Sequence, residues 1–584
     1  MADIKKPLLT DETGQEILAL LRQDSLVQNK IDEINSAADT AKQAIEVKAS
    51  AQLQRIPDVE ALSNDMAAMR GTLTNLSDAV SALSAGDPEK QIEAYYAMRR
   101  NGKIYGTKIY KFANNPTSTG TRLESSVGMT YTPSTDTTAG QDDFIDKAPM
   151  FEWVHVNYVR DADGAPRPVA IEGMDNYKTS GNVDVGAMQM SFYVKIVEDE
   201  DSVSYYVSDT QHEGFVPWCE CVKADGTVLP WCIGSAYYSG KASDGLLRSQ
   251  PGLPIELWQS HNNMATNYSK KGTGYWGAGM EKNTFAMLMQ FIKTANKSSQ
   301  ATWAGCTSYN FQYTPAVESE EKHTYFPVTK AQAGTIVIGS YVSVGYGSVI
   351  SDKLNNDRYY TPMHAYAKEV KVLKIEALDD ANSAVYLDVA EGFSTAQVTL
   401  NDTISSPIYL SSMPWGAGST DAVIGKYDGS YLSNTSGKTP YRIQGRECNV
   451  GCYDVASNTV IDAKADGYDV YIAPRGLVHS TSDAIIRSTY TLAGTIPVFS
   501  NTSAGYSYIG DVTVDPVLGS WIISSYGGNA TQGMGDVGYA LKNQTGTREC
   551  LQRGDLGCES AAGSSCLYCR YWLGGTHWLC GAGD

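Results

Sequence analysis

A chain of 584 residues is long enough for several hydrophobic cores, about three to five domains on length alone. Its net charge of −19 argues against nucleic acid or an anionic membrane as partner, and no run of 18 apolar residues offers a membrane span. Charged residues are sparse at 19% while Gly (54) and Tyr (37) abound, a balance that suits a turn-rich β protein with an amphipathic aromatic surface.

The opening Met1-Ala2-Asp3-Ile4-Lys5-Lys6-Pro7 lacks the apolar stretch of a secretory leader. Residues 1–90 then keep a 3-4 apolar spacing. Positions a run Ile17, Asp24, Ile31, Ala38, Ile45, Gln52, Val59, Met66, Leu73 and Val80; positions d run Leu20, Val27, Ile34, Ala41, Lys48, Arg55, Leu62, Met69, Leu76 and Leu83. This predicts a parallel coiled-coil rod about 100 Å long, interrupted at Pro57 and stopped at Gly86-Asp87-Pro88. Ile31 with Ile34 favours three strands, whereas Val59 with Leu62 suits two.

From 91 to about 225 the pattern turns to strands, at 103–112, 152–158, 188–196 and 202–207, forming a β-rich shoulder. The acidic run Glu198-Asp199-Glu200-Asp201 reads as a solvated turn, since it lacks the spaced oxygen ligands and central Gly of a calcium loop. Residues 226–330 hold one helix, with Asn283 as N-cap and Phe285, Met287, Leu288, Met289, Phe291 and Ile292 making it apolar nearly all round, hence buried. Residues 331–402 read as a small inserted β-barrel with strands at 335–338, 341–344, 369–375, 384–389 and 396–400. Beyond 403, strands at 469–473 and 521–524 lead to the C-terminal segment.

That segment, 548–584, interleaves two kinds of position. Gly554, Gly557, Ala562, Gly563, Gly574, Gly581 and Gly583, with Leu573 and Trp578, suit a tight backbone frame through positive φ and close approach. Between them stand Cys550, Cys558, Ser560, Ser564, Cys566, Tyr568, Cys569, Arg570, Tyr571, Trp572, His577, Leu579 and Cys580, with no shared size, polarity or period. The expectation is that these residues face outward as exchangeable contacts. Tyr568, Tyr571 and Trp572 are the expected anchors, with Arg570 and His577 as polar readers.

Gly554, Ala562-Gly563, Leu573, and Trp578 followed by Gly581 resemble the variable region of proteins diversified by retroelements, best known from phage tail proteins of the major tropism determinant kind. The ending departs from those relatives, many of which continue to an Arg after the last Gly. Residues 440–447, Pro-Tyr-Arg-Ile-Gln-Gly-Arg-Glu, resemble a segment shared by such proteins and formylglycine-generating enzymes, and 272–300 resembles the first half of their heads. The resemblance implies an α+β architecture. It comprises an N-terminal parallel coiled coil, a central β-rich domain and a C-type-lectin-like head split around the inserted barrel. It further implies a homotrimeric phage tail receptor-binding protein, attached to other tail or baseplate proteins by its N-terminus and made in the host cytoplasm. Its partner would be a host-surface protein or glycan, with no cofactor, nucleic acid or membrane insertion. Adenine-directed codon change would account for five cysteines in a short segment.

Rival readings carry different chemistry. Cys566, Cys569, His577 and Cys580 have short spacings that a zinc ion could close, although a second paired-Cys knuckle is missing. Disulfides among the tail cysteines, or a purely structural β-hairpin, are further options. The seven histidines fall in no H-E-x-x-H motif, no G-x-S-x-G is present, and Cys448 and Cys452 lack the local context of formylglycine chemistry. The chain therefore reads as a non-enzyme, with a glycan-depolymerising spike as the alternative.

Overall fold

The structure, a computed structural model, describes residues 24–53, 66, 88–347, 361–400, 404–476, 479, 481–499, 505–558, 561–575 and 580–583. Helix α1 (Asp24–Leu53) is followed by α2 (Pro88–Arg99). Strands then dominate: β1 (Ile104–Tyr110), β2 (Thr121–Glu124), β3 (Trp153–Arg160), β4 (Pro166–Ile171), β5 (Asp184–Met190), β6 (Tyr193–Glu198), β7 (Ser202–Ser208), β8 (Val216–Pro217) and β9 (Trp231–Ser235). They build a five-stranded sheet ordered β8-β6-β7-β1-β2 and a four-stranded sheet ordered β9-β5-β3-β4. The alternation read at 188–196 breaks at Ser191-Phe192, where the chain crosses from one sheet to the other. Asp199 N–H bonds Ser202 O at 2.9 Å, so the acidic run turns between β6 and β7.

Helices α3 (His261–Ser269) and α4 (Glu281–Thr294) come next. Helix α4 is buried from Lys282 to Lys293 and packs against β1 and β7 on one side. Its N-cap is Met280, not Asn283. Asn283 lies in the first turn and spends its amide on tertiary bonds instead. Strands β10 (Gln312–Tyr313), β11 (Tyr325–Thr329), β12 (Tyr341–Tyr346), β13 (Ala367–Ala377), β14 (Asn382–Leu387) and β15 (Ile408–Met413) form a six-stranded sheet ordered β10-β15-β12-β13-β14-β11. Its ends are joined where Ala316 N–H bonds Pro327 O at 3.0 Å, which leaves a nearly closed barrel. The expected strand at 335–338 is absent; a capping box at Thr329 and Gln332 starts a helical turn at Lys330–Ala333, and turns follow it.

The last unit is a nine-stranded sheet. It contains β16 (Tyr453–Ala463), β17 (Gly467–Ile472), β18 (Thr491–Pro497), β19 (Ser507–Asp515), β20 (Ser520–Tyr526), β21 (Val537–Tyr539), β22 (Gly546–Gln552), β23 (Leu567–Tyr568) and β24 (Cys580–Gly581). The order is β18-β17-β16-β22-β23-β21-β19-β20, with β24 added parallel to β16. One core runs through Tyr105, Trp218, Phe285, Tyr441, Trp521 and Cys569, so the strands of the expected shoulder share their apolar interior with the C-terminal sheet.

The expected α+β architecture is therefore corrected. Strands take 37% of the protein and helices 16%, and among the described residues no long N-terminal coiled coil is formed. Only α1 represents the heptads, with Ile34 37% exposed. Ala38 and Ala41 are small and Lys48 is polar, so the middle and end of its seam offer less apolar area to a partner helix than Ile34 and Ile45 do. The rest of the heptad reading lies almost wholly outside the described residues. No described helix is long and apolar enough to cross a membrane.

Candidate functional site

The C-terminal segment is anchored by β22, which pairs with β16 on one side and β23 on the other. Immediately after β22 the backbone turns at Arg553, a non-glycine residue in the left-handed region (φ 59°). Its guanidinium is fully buried and makes an ion pair to Asp454 at 2.7 Å. It also donates to Asn283 Oδ1 at 2.8 Å and to the Tyr238 hydroxyl at 3.1 Å. Charge-assisted bonds to three separate elements pin the loop root.

A second buried hub holds the middle of the loop. Asp536 accepts the backbone N–H groups of Gly563 (2.8 Å) and Ser565 (2.9 Å), the Ser299 hydroxyl (3.1 Å) and the Gln300 amide (2.8 Å). Close approach, as expected, is the glycines' role at two points: a β-carbon on Gly554 would overlap Ala562, and one on Gly581 would overlap the Cys452 sulfur. Positive φ is not their role, since neither lies in the left-handed region.

The outward-facing expectation divides. Ser564, Cys566, Cys569 and Cys580 are buried, as is Cys550, and cannot serve as surface contacts. Ser564 is structural: its carbonyl accepts from Asn283 at 2.6 Å and its hydroxyl meets Tyr441 OH at 2.8 Å. Cys566, Cys569 and Cys580 pack into three different apolar clusters, where a thiol acts as a small hydrophobe. All eleven cysteines are free thiols. Burial pushes the Cys550 thiol up to about 12. Among the described residues no three His, Cys, Asp or Glu side chains converge on a metal position. Ser560, His577 and Leu579 lie outside the described residues.

Arg570 and Trp572 are exposed, and Tyr568, Tyr571 and Cys558 are half-buried. Parallel pairing of β21 with β23 sets Tyr539 directly beside Tyr568, their rings 5.0 Å apart. Tyr568 also contacts Tyr571 at 5.8 Å and stacks on Tyr453 at 5.4 Å. The exposed Arg570 guanidinium is held in its charged form first by the neighbouring Tyr568 hydroxyl, with Tyr539 and Tyr571 as further electrostatic neighbours. Burial raises the Tyr568 phenol above its ordinary value, and Arg570 counters part of that shift. Trp572 is 58% exposed, yet the Arg548 guanidinium lies 3.7 Å from its ring centroid and Gly546 is pressed beneath it. It therefore combines a packed face with a free one.

Sequence reasoning missed Tyr539, half-exposed, and Tyr506, 57% exposed just before β19. The signal was the abundance of tyrosine, but only the sheet order brings those two strands beside the tail. Trp258 was also missed. It is 41% exposed in a left-handed conformation (φ 61°), one residue before Gln259, whose N–H bonds Cys580 O.

Under this surface, Glu549 of β22 is buried and accepts the His261 N–H at 3.0 Å at the start of α3. Burial pushes its carboxyl up to about 8. A carboxyl raised from its ordinary value near 4.5 holds a proton in the folded chain that the unfolded chain releases. Its contribution is thus fully present below about pH 4.5 and is lost as pH rises through 8. Glu549→Gln should match the parent protein near pH 4 and exceed its stability at pH 8 by on the order of 1–3 kcal/mol, read from urea midpoints across that range.

A polar cavity of about 110 Å³ elsewhere is lined by Arg160, Trp276, Glu281, Asn458, Arg475 and His479. Burial lowers His479 to about 3, so its imidazole is neutral. Ser457, 3.1 Å from that ring, has backbone carbonyl acceptors in Gly277 and Ala278, each at 3.0 Å. This pair reads as structural. Compared with known proteins, the sequence matches no protein-family model and no curated protein.

Proposed function

We propose that this protein is a receptor-binding protein of a phage tail, carried on the virion, that adsorbs to a host cell surface through the patch centred on Arg570. The observation that carries the reading is a division of labour within one segment. Arg553, Asp536 and Ser564 hold the loops from inside, largely through backbone groups and buried partners. Arg570 and Trp572 carry exposed faces, with Tyr571 half-buried beside them. Rigid aromatic rings around a guanidinium give a large contact area at low entropy cost, together with directional hydrogen bonds. The resemblance of the tail to retroelement-diversified tail proteins supports the same reading, because a surface built to be exchanged needs a frame that does not depend on what is exchanged.

The test uses the full chain, labelled and incubated with a panel of intact bacterial cells. The parent protein is expected to adsorb to a subset of strains. The triple variant Arg570→Ser/Tyr571→Ser/Trp572→Ser should lose roughly 30-fold or more in affinity, as removal of a central anchor does. Unchanged adsorption by the variant, or indifference of the parent chain to strain, would overturn the proposal.

A further inference from the structure

A cavity of about 260 Å³ lies in the seam between the first sheet and the β19–β20 hairpin. Its walls are apolar, with Ile109, Ile196, Val203, Val514 and Met534 around a floor made by Phe291 of α4. The charges at its polar end already balance one another. Lys297 pairs with Asp511 at 2.7 Å and donates to Tyr110 O at 2.9 Å. The other Asp511 oxygen accepts Phe112 N–H at 2.8 Å and the Ser525 hydroxyl at 3.0 Å. Lys111 and Glu198, 2.7 Å apart, close the rim.

One polar group is left over. Tyr205 of β7 is 2% exposed and lines the cavity, its ring 5.0 Å from Phe291, and its hydroxyl makes no hydrogen bond to any described residue. Burial, with Asp511 and Glu198 nearby, holds its phenol above the ordinary range, so it stays an O–H donor. That hydroxyl opens onto the cavity, where a mostly apolar lining gives a water few further partners.

We propose that this seam is a binding site for an uncharged, largely apolar molecule carrying one hydrogen-bond acceptor, an alcohol-like amphiphile of about a dozen non-hydrogen atoms at interior packing density. Its polar atom accepts from Tyr205, and its apolar body fills the gap between β7 and β19. Charge neutrality of the lining sets the preference for an uncharged occupant, since a carboxylate or amine would leave one ion unpaired in a mostly apolar space. Bound there, the molecule braces the first sheet against the C-terminal one.

The probe is 1-octanol, titrated calorimetrically into the full chain. The expected result is saturable binding at one site, weakened about fivefold by Tyr205→Phe, which removes one hydrogen bond and nothing else. Val514→Trp, which fills the cavity, should abolish binding. If that larger side chain is not tolerated, the Tyr205→Phe comparison decides alone. No saturable binding to the parent chain, or equal affinity in parent and Tyr205→Phe, would overturn the proposal.

Discussion

Replacing Arg553 by Met should destabilise the protein by about 3–5 kcal/mol, a large share of the roughly 5–15 kcal/mol that holds a typical domain together. The guanidinium sits in a fully buried position with Asp454, Asn283 and Tyr238 around it. Its removal strands the Asp454 carboxylate in the interior, and that unpaired charge is the larger part of the loss. The double variant Arg553→Met/Asp454→Leu should therefore recover much of the stability, because the uncompensated charge leaves with its partner. Chemical denaturation of the single and double variants measures the difference. A single variant within 1 kcal/mol of the parent, on the order of an exposed pair, would remove Arg553 as the anchor of the tail.

Lys293→Met should have a comparable effect, about 3–5 kcal/mol, for a related reason. Lys293, on the last turn of α4, is fully buried between Asp142 at 2.6 Å and Asp428 at 2.5 Å. It thereby ties the loop after β2 to the segment before β16. Burial first, and then the neighbouring Asp428, pushes Asp142 up to about 6 even with the ammonium present. Without the lysine, the Asp142 carboxyl rises further above its unfolded value. The folded variant then holds protons that the unfolded chain releases, and its stability falls as pH rises through that widened window. The deficit relative to the parent should accordingly be larger at pH 8 than at pH 5, as measured by thermal unfolding at both values.

Parts of this fold were legible from residue order because local periodicity and tertiary burial agree there. In strand β1, Tyr105, Thr107 and Ile109 are buried while Ile104, Lys108 and Tyr110 are half-exposed, with Gly106 the one break in the alternation, and the aromatic and aliphatic run 285–292 is buried as an all-round apolar helix should be. The capping residue of that helix was not legible. Asn283 has the right chemistry for a cap, but its amide is taken by Ser564 O and Arg553, partners some 280 and 270 positions away in sequence. The rod failed differently. Its heptad phase is regular, but phase measures direction and not area, and Ala38, Ala41 and Lys48 interrupt the apolar seam of α1.

In the tail, absence of period was read as exposure. The inference fails for Cys566, Cys569 and Cys580 because an irregular loop has no period to display even where it is buried, and a thiol fits small apolar gaps as alanine does. It holds for Arg570 and Trp572, whose size and polarity keep them at the surface. Tyr539 and Tyr506 could not be found this way. They join the patch only through β21 and β19, whose order in the sheet depends on a parallel pairing that short-range patterns do not encode.

The central claim is that the patch is carried by a frame indifferent to it. The most direct measurement takes the Arg570→Ser/Tyr571→Ser/Trp572→Ser protein and reads unfolding and cell adsorption on the same sample. The account predicts a stability within about 2 kcal/mol of the parent, as for surface substitutions, together with loss of adsorption. A chain that unfolds when those three residues are exchanged, or one that adsorbs as well as before, would contradict it.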